Sequence, residues 1–162
     1  MSPNMERAFE ARPEVFAAWQ QLNGSIKASM DLRRYELATL AAARRLRSSY
    51  CCLAHGKALA EQFYDAESVP KLPDGLDHAD RAIMTFAVKV VDDATSITQA
   101  DVDELRAHGL SDAEVCDVVL AAAARCFFSK TLDALGVQPD AAYAELEPSF
   151  VEPLTVGRPI AS

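Results

Sequence analysis

Apolar residues recur along this chain at threes and fours, and no stretch alternates in the period of two that a half-buried strand requires. The pattern predicts an all-α protein. Phe9, Phe16, Trp19 and Leu22 form the stripe of a first helical region, interrupted at Pro13 and ended by Asn23-Gly24. Asp31 is placed to cap the next helix, on which Leu32, Tyr35, Ala38, Ala42, Ala43 and Leu46 share a face. That helix is rich in alanine, so a neighbour can approach closely. It is expected to stop or kink at Ser48-Ser49, where a further helix begins and runs through Leu53, Leu59, Ala60 and Phe63.

A polar loop with Pro70, Pro73 and Gly75 follows, and Asp77 then caps a helix carrying Ile83, Phe86, Ala87, Val90 and Val91. Thr98-Gln99-Ala100-Asp101 resembles a capping box, with Gly109 as the residue just past the short helix it opens. Ser111-Asp112-Ala113-Glu114 matches the box fully. It begins a long helix through Val115, Val118, Val119, Ala122, Ala123, Cys126 and Phe127, closed by Gly136. Residues 1–137 therefore read as one helical bundle. From Gln138 onward Pro139, Pro148, Pro153 and Pro159 predict an extended tail, loosely ordered or laid across a neighbouring subunit.

Composition narrows the partners. The 162 residues, half of them hydrophobic, suffice for a real core. A net charge of −8 argues against nucleic acid and anionic membranes. No apolar run is long enough to span a bilayer, and the first residues lack the basic start and apolar stretch of a secretory signal, so the expected compartment is the cytoplasm and the cysteines are expected to be reduced. Arg44, Arg45 and Arg47, with Arg33 and Arg34 a few turns earlier, read as a solvated helix face or as intersubunit salt bridges rather than as a site for an acidic ligand. No glycine-rich phosphate loop is present, so phosphoryl transfer and dinucleotide binding have no support.

The densest chemistry lies in Ser48-Ser49-Tyr50-Cys51-Cys52-Leu53-Ala54-His55. A thiol acts as a nucleophile only as the thiolate, and two local devices favour that form at Cys51. His55 lies one helical turn on, on the same face. With Ser48 or Ser49 as N-cap, Cys51 also falls in the first turn, at the positive end of the helix dipole. Cys51 or Cys52 with His55 could supply two metal ligands, but zinc needs three or four and no second cluster exists in the sequence, so neither metal nor cofactor is expected. Cys116 and Cys126 are read as packing residues on the long helix, and His78 and His108 as exposed near helix ends.

These residues resemble the AhpD-like group of the carboxymuconolactone decarboxylase superfamily, in particular its peroxidase-related branch. The pattern there is a glutamate on one helix and, about a dozen residues on, Cys-x-x-Cys-x-x-x-His at the start of the next. Glu36 takes the glutamate place here, Ser48 the first cysteine, Cys51 the second and His55 the histidine. The likeness continues through Leu76-Asp77-His78-Ala79-Asp80-Arg81-Ala82 and Gly109-Leu110-Ser111-Asp112-Ala113-Glu114 to Phe127-Phe128 and Leu135-Gly136, covering most of residues 30 to 137.

The resemblance implies an all-helical, oligomeric protein acting as a thiol-dependent peroxidase on a small hydroperoxide. Cys51 would be the attacking thiol, His55 would take its proton, and Glu36 would orient that imidazole, provided the chain bends at Ser48-Ser49. The departure is Ser48, whose hydroxyl cannot form the disulfide that the first motif cysteine makes. Cys52 is a poor substitute because neighbouring helical side chains diverge, so an external thiol reductant is the expected resolving agent. Tyr50 could donate a hydrogen bond to a peroxide oxygen or be a buried structural tyrosine. Two other readings remain open: a lactone decarboxylase working without a thiol, and a non-catalytic redox sensor in which Cys51 is oxidised once.

Overall fold

A computed structural model describes residues 3–162, and every regular element among them is helical. Eight α-helices follow in order: α1 (Pro3–Ala8), α2 (Pro13–Ser29), α3 (Leu32–Arg45), α4 (Ser49–Gln62), α5 (His78–Asp93), α6 (Gln99–Ala107), α7 (Asp112–Ala134) and α8 (Pro148–Leu154). The caps are where the local sequence places them. Asp31 and Asp77 accept the backbone N–H groups of Arg34 and Asp80, and Thr98 and Ser111 open capping boxes with Asp101 and Glu114. Gly109 and Gly136 adopt positive φ just past α6 and α7.

Helix α3 is the axis of the molecule and packs against α4, α5 and α7. Every residue from Tyr35 to Ala43 is buried, and the Ala41-Ala42-Ala43 run lets the neighbouring helices close on it. The arginine cluster is only in part the solvated face that it suggests: Arg45 and Arg47 are exposed, whereas Arg33, Arg34 and Arg44 are half-buried. Arg33 and Arg34 both pair with the buried Asp80 of α5, Arg45 pairs with Asp92, and Arg44 donates to the carbonyls of Val69, Pro70 and Leu72. A central helix has neighbours on all sides, so its long side chains are used within the chain.

Three other expectations change. Helix α2 continues through Asn23-Gly24 to Ser29, because the face that buries Phe16 and Trp19 resumes at Ile26, and one interior glycine costs only about 1 kcal/mol. Leu22 falls at the margin of that face and is exposed. Cys116 is also exposed and Cys126 only half-buried, since the inner face of α7 is set by Val115, Val118, Ala122, Arg125, Phe128 and Leu132. His108 is half-buried, its ring stacked on that of the exposed His78 at 6.3 Å.

Where the prolines beyond residue 138 predict an extended arm, the chain instead forms a 3-10 turn at Ala141–Glu145 and then α8. Proline at the first helical position starts α8, and Phe150 and Leu154, one turn apart, pack it onto α4. Gly56 of α4 makes room: a Cβ there would lie 2.6 Å from Leu154 Cδ1.

Candidate active site

The site is built on the elbow between α3 and α4. Arg47 takes a left-handed conformation (φ 58°), which turns the chain and brings the N-terminus of α4 back against α3. Residues near the C-terminus brace the turn. Gly157 N donates to Ser49 Oγ at 2.8 Å, Arg47 Nε donates to the Val156 carbonyl at 3.2 Å, and a Cβ on Gly157 would lie 2.0 Å from the Arg47 carbonyl oxygen. Ser48 holds the N-cap position but caps nothing with its side chain. Its buried hydroxyl makes no hydrogen bond of normal geometry, and the polar group turned toward it is the carboxyl of Asp133.

Cys51 is the third residue of α4, within the first turn, and only 1 % exposed. Its sulfur lies 3.6 Å from Nη1 of Arg125, which reaches in from α7 and is itself 4 % exposed. The guanidinium sits 5.8 Å from the Trp19 ring centroid and 5.5 Å from that of Phe128, and its Nη2 donates to Tyr35 Oη at 3.4 Å. Burial works against this cation, but Cys51 and Tyr35 more than offset it and raise its proton affinity above the ordinary value. The guanidinium is fully charged beside the sulfur.

One turn beyond Cys51, His55 Nδ1 lies 2.6 Å from Oε2 of Glu36, a residue of α3 that is 2 % exposed. Burial tends to raise the Glu36 carboxyl, but the hydrogen bond to His55 and the ion pair with Lys27 outweigh it and hold the carboxyl below its usual range. Burial, joined by the nearby Arg125, lowers the His55 imidazole despite the pull of Glu36. Both shifts favour a carboxylate facing a neutral ring. Nδ1 carries the hydrogen toward Glu36, which leaves the lone pair on Nε2 as a base.

Cys51, His55, Tyr50 and Arg125 line one cavity of about 470 Å³, closed by Phe16, Trp19 and Phe128 on one side and by Met5 and Tyr143 from the two ends of the chain. Tyr50 Oη donates to Asp140 Oδ2 at 3.0 Å. Tyr143, pushed up to about 12 chiefly by burial, keeps its phenolic proton. Glu36 stands behind His55 rather than in the wall. Ser48 and Cys52 do not line the cavity; Cys52 is fully buried and its thiol is pushed up to about 12, so it is inert as a nucleophile. Among the described residues no group of three or more histidine, cysteine or acidic side chains is arranged to hold a metal ion, and no helix is long and apolar enough to cross a membrane.

No protein-family model and no curated protein matches this sequence. Solved structures do. A peroxidase-related protein from Ralstonia eutropha JMP134, described as an alkylhydroperoxidase AhpD core, superposes with a TM-score of 0.76 at 22 % identity over 96 % of this chain and 83 % of its own. A peroxidase-related protein from Silicibacter sp. TM1040 gives 0.78 at 22 % identity over 84 % and 75 %. The chain has the AhpD-like fold. The same AhpD-like fold is found, at a TM-score of 0.73 and 17 % identity over 88 % and 78 %, in a cysteine-to-alanine variant of a debrominase complexed with 2,3,4-tribromopyrrole.

Arg125 is the residue that the motif around Cys51 does not announce. Its only signal in the sequence is a lone basic residue following the apolar run Val118 to Ala124. Lone charges inside such a run are buried against a partner, but the partner lies 74 positions away. Within the AhpD-like fold it is the crossing of α7 with the start of α4 that joins them.

Proposed function

We propose that this chain is a thiol-dependent oxidoreductase of the alkylhydroperoxidase kind, with Cys51 as the peroxidatic cysteine. The observation that carries the reading is a buried guanidinium and a helix N-terminus at one sulfur, with an imidazole oriented by a carboxylate one turn away on the same cavity. His55 takes the thiol proton at Nε2, directly or through a water, and Arg125 holds the resulting thiolate. The thiolate attacks the outer oxygen of a hydroperoxide, the O–O bond breaks, and the proton stored on His55 passes to the leaving oxygen. Cys51 becomes a sulfenic acid and the hydroperoxide an alcohol.

With Ser48 unable to form a disulfide and Cys52 buried and protonated, an external thiol resolves the sulfenic acid, forming a mixed disulfide and water. A second thiol then returns Cys51 to its reduced form and leaves as the disulfide. A homo-oligomer is part of the reading; exposed Leu22 on α2 and Leu120 and Phe127 on α7 support it.

The test is oxidation of the reduced protein by hydrogen peroxide and by an organic hydroperoxide, with sulfenic acid trapped and mapped by mass. Selective oxidation at Cys51, lost in Cys51→Ser and coupled to consumption of added thiol, supports the peroxidase. One stoichiometric oxidation that no thiol reverses turns the reading to a redox sensor. Oxidation no faster than that of a free thiol overturns both.

A further inference from the structure

Glu36 does not serve His55 alone. Its second oxygen, Oε1, lies 3.3 Å from Nζ of Lys27, so one buried carboxylate is shared between an imidazole at the cavity and an ammonium at the surface. Lys27 comes from α2, beyond the point where local sequence signals would end that helix, and is 46 % exposed. Its Nζ also lies 5.5 Å from the ring centroid of Tyr35, the phenol that accepts from Arg125.

We infer that Lys27 is a positioning residue of the Cys51 site, acting on His55 through the shared Glu36 carboxylate. The inference rests on the peroxidase reading, in which His55 must take a proton and then release it within one turnover. Glu36 pulls the ring toward imidazolium while burial and Arg125 oppose it, and the more the ring is held as imidazolium the less it can accept the thiol proton. Lys27 draws on the same carboxylate and sets its own positive charge near the ring. Both effects favour the neutral, proton-accepting form.

The groups that act on His55 come from every helix around it. Glu36 of α3 favours the imidazolium, while Arg125 of α7 and Lys27 of α2 oppose it; on its own helix Cys51 favours it once it is a thiolate. The ring edge of Tyr35 lies 6.1 Å away, and across the cavity stand Tyr50 and Tyr143, the latter held in its neutral form chiefly by burial. Of the two cations, Lys27 is the one at the surface. It can be changed without leaving a buried cavity, and Glu36 keeps its hydrogen bond to His55.

The experiment is a titration of the His55 ring by NMR, assigned with His55→Gln, in the wild type, Lys27→Met and Lys27→Arg, together with the pH profile of Cys51 oxidation in the same proteins. Lys27→Met is expected to raise the His55 midpoint by about half to one pH unit, and to slow Cys51 oxidation on the acid side of the profile about three- to tenfold. Lys27→Arg keeps the charge and is expected to restore both. A loss of structure alone would not move the profile and then be rescued by arginine. A His55 midpoint unchanged in Lys27→Met overturns the inference, as does a midpoint that moves while the oxidation profile stays in place. If Cys51 is not oxidised in any of the proteins, the peroxidase reading fails, and the ring titration still decides whether Lys27 governs His55.

Discussion

A buried guanidinium with no carboxylate against it has to find its counter-charge elsewhere. Arg125 lies 3.4 Å from the Tyr35 oxygen and 3.6 Å from the Cys51 sulfur, and of a phenol and a thiol the thiol is ordinarily the more acidic. That gives Arg125 a role distinct from that of His55: it stabilises the anion, whereas the imidazole moves the proton. Arg125→Met keeps much of the packing against Trp19 and Phe128 but removes the charge. Stopped-flow oxidation at pH 7 is expected to slow by about 10- to 100-fold, with the deficit shrinking as the pH is raised and solvent ionises the thiol instead. Lysine at the same position restores only part of the rate, because an ammonium cannot reach both the sulfur and Tyr35 in fixed geometry. The motif residues were legible because a thiol and an imidazole four positions apart share a helix face. Arg125 was not, since its contact is made by two helices far apart in the chain.

At the scale of elements, the site depends on how α3 and α4 meet and on what holds them there. Glu36 and His55 lie 19 positions apart and touch only because the chain reverses at Arg47. The bend at Ser48-Ser49 could be anticipated from the sequence; the brace laid on it by residues 156 and 157 could not. Gly157→Ala places a methyl group against the Arg47 carbonyl and is expected to cost about 1–3 kcal/mol of stability. Cys51 should also become more reactive toward a bulky alkylating agent. Leu154→Ala empties a fully buried position between α8 and α4 and should cost about 2–5 kcal/mol by denaturant unfolding.

The same contrast separates helix ends that were legible from those that were not. Asp31, Asp77, Thr98 and Ser111 satisfy backbone groups within three residues, so the caps can be read locally. The stop expected at Asn23-Gly24 is equally local, but burial of Ile26 against the core outweighs it. The folding of the tail turns on Phe150 and Leu154, two apolar residues whose spacing had less weight than the prolines around them.

For the molecule as a whole, acid is the condition that tests the site and the fold together. Glu36 and His55 both bind protons less readily folded than unfolded. Their contribution to stability is therefore complete above the ordinary values of 6.5 for the imidazole and 4.5 for the carboxyl, and is lost as the pH falls through the lower folded values. The melting temperature is expected to decline below about pH 6.5, at the ordinary value of the imidazole. In His55→Gln the upper part of that decline should flatten, leaving the carboxylate part; calorimetry across pH 4 to 8 separates the two (about these limits, set by the reference values).

The brace on the α3–α4 elbow also orders events in time. The bond from Gly157 to Ser49 closes a loop of 108 positions, an entropic cost of about 4 kcal/mol that must be met before the contact contributes anything. Helices and their near neighbours form first and contacts of such separation last. On a ribosome the elbow is braced only once residue 157 has been made and has emerged. Until then the nascent chain carries Cys51 and Cys52 side by side without their finished shelter, and this is the interval in which a peroxide would find the protein least discriminating.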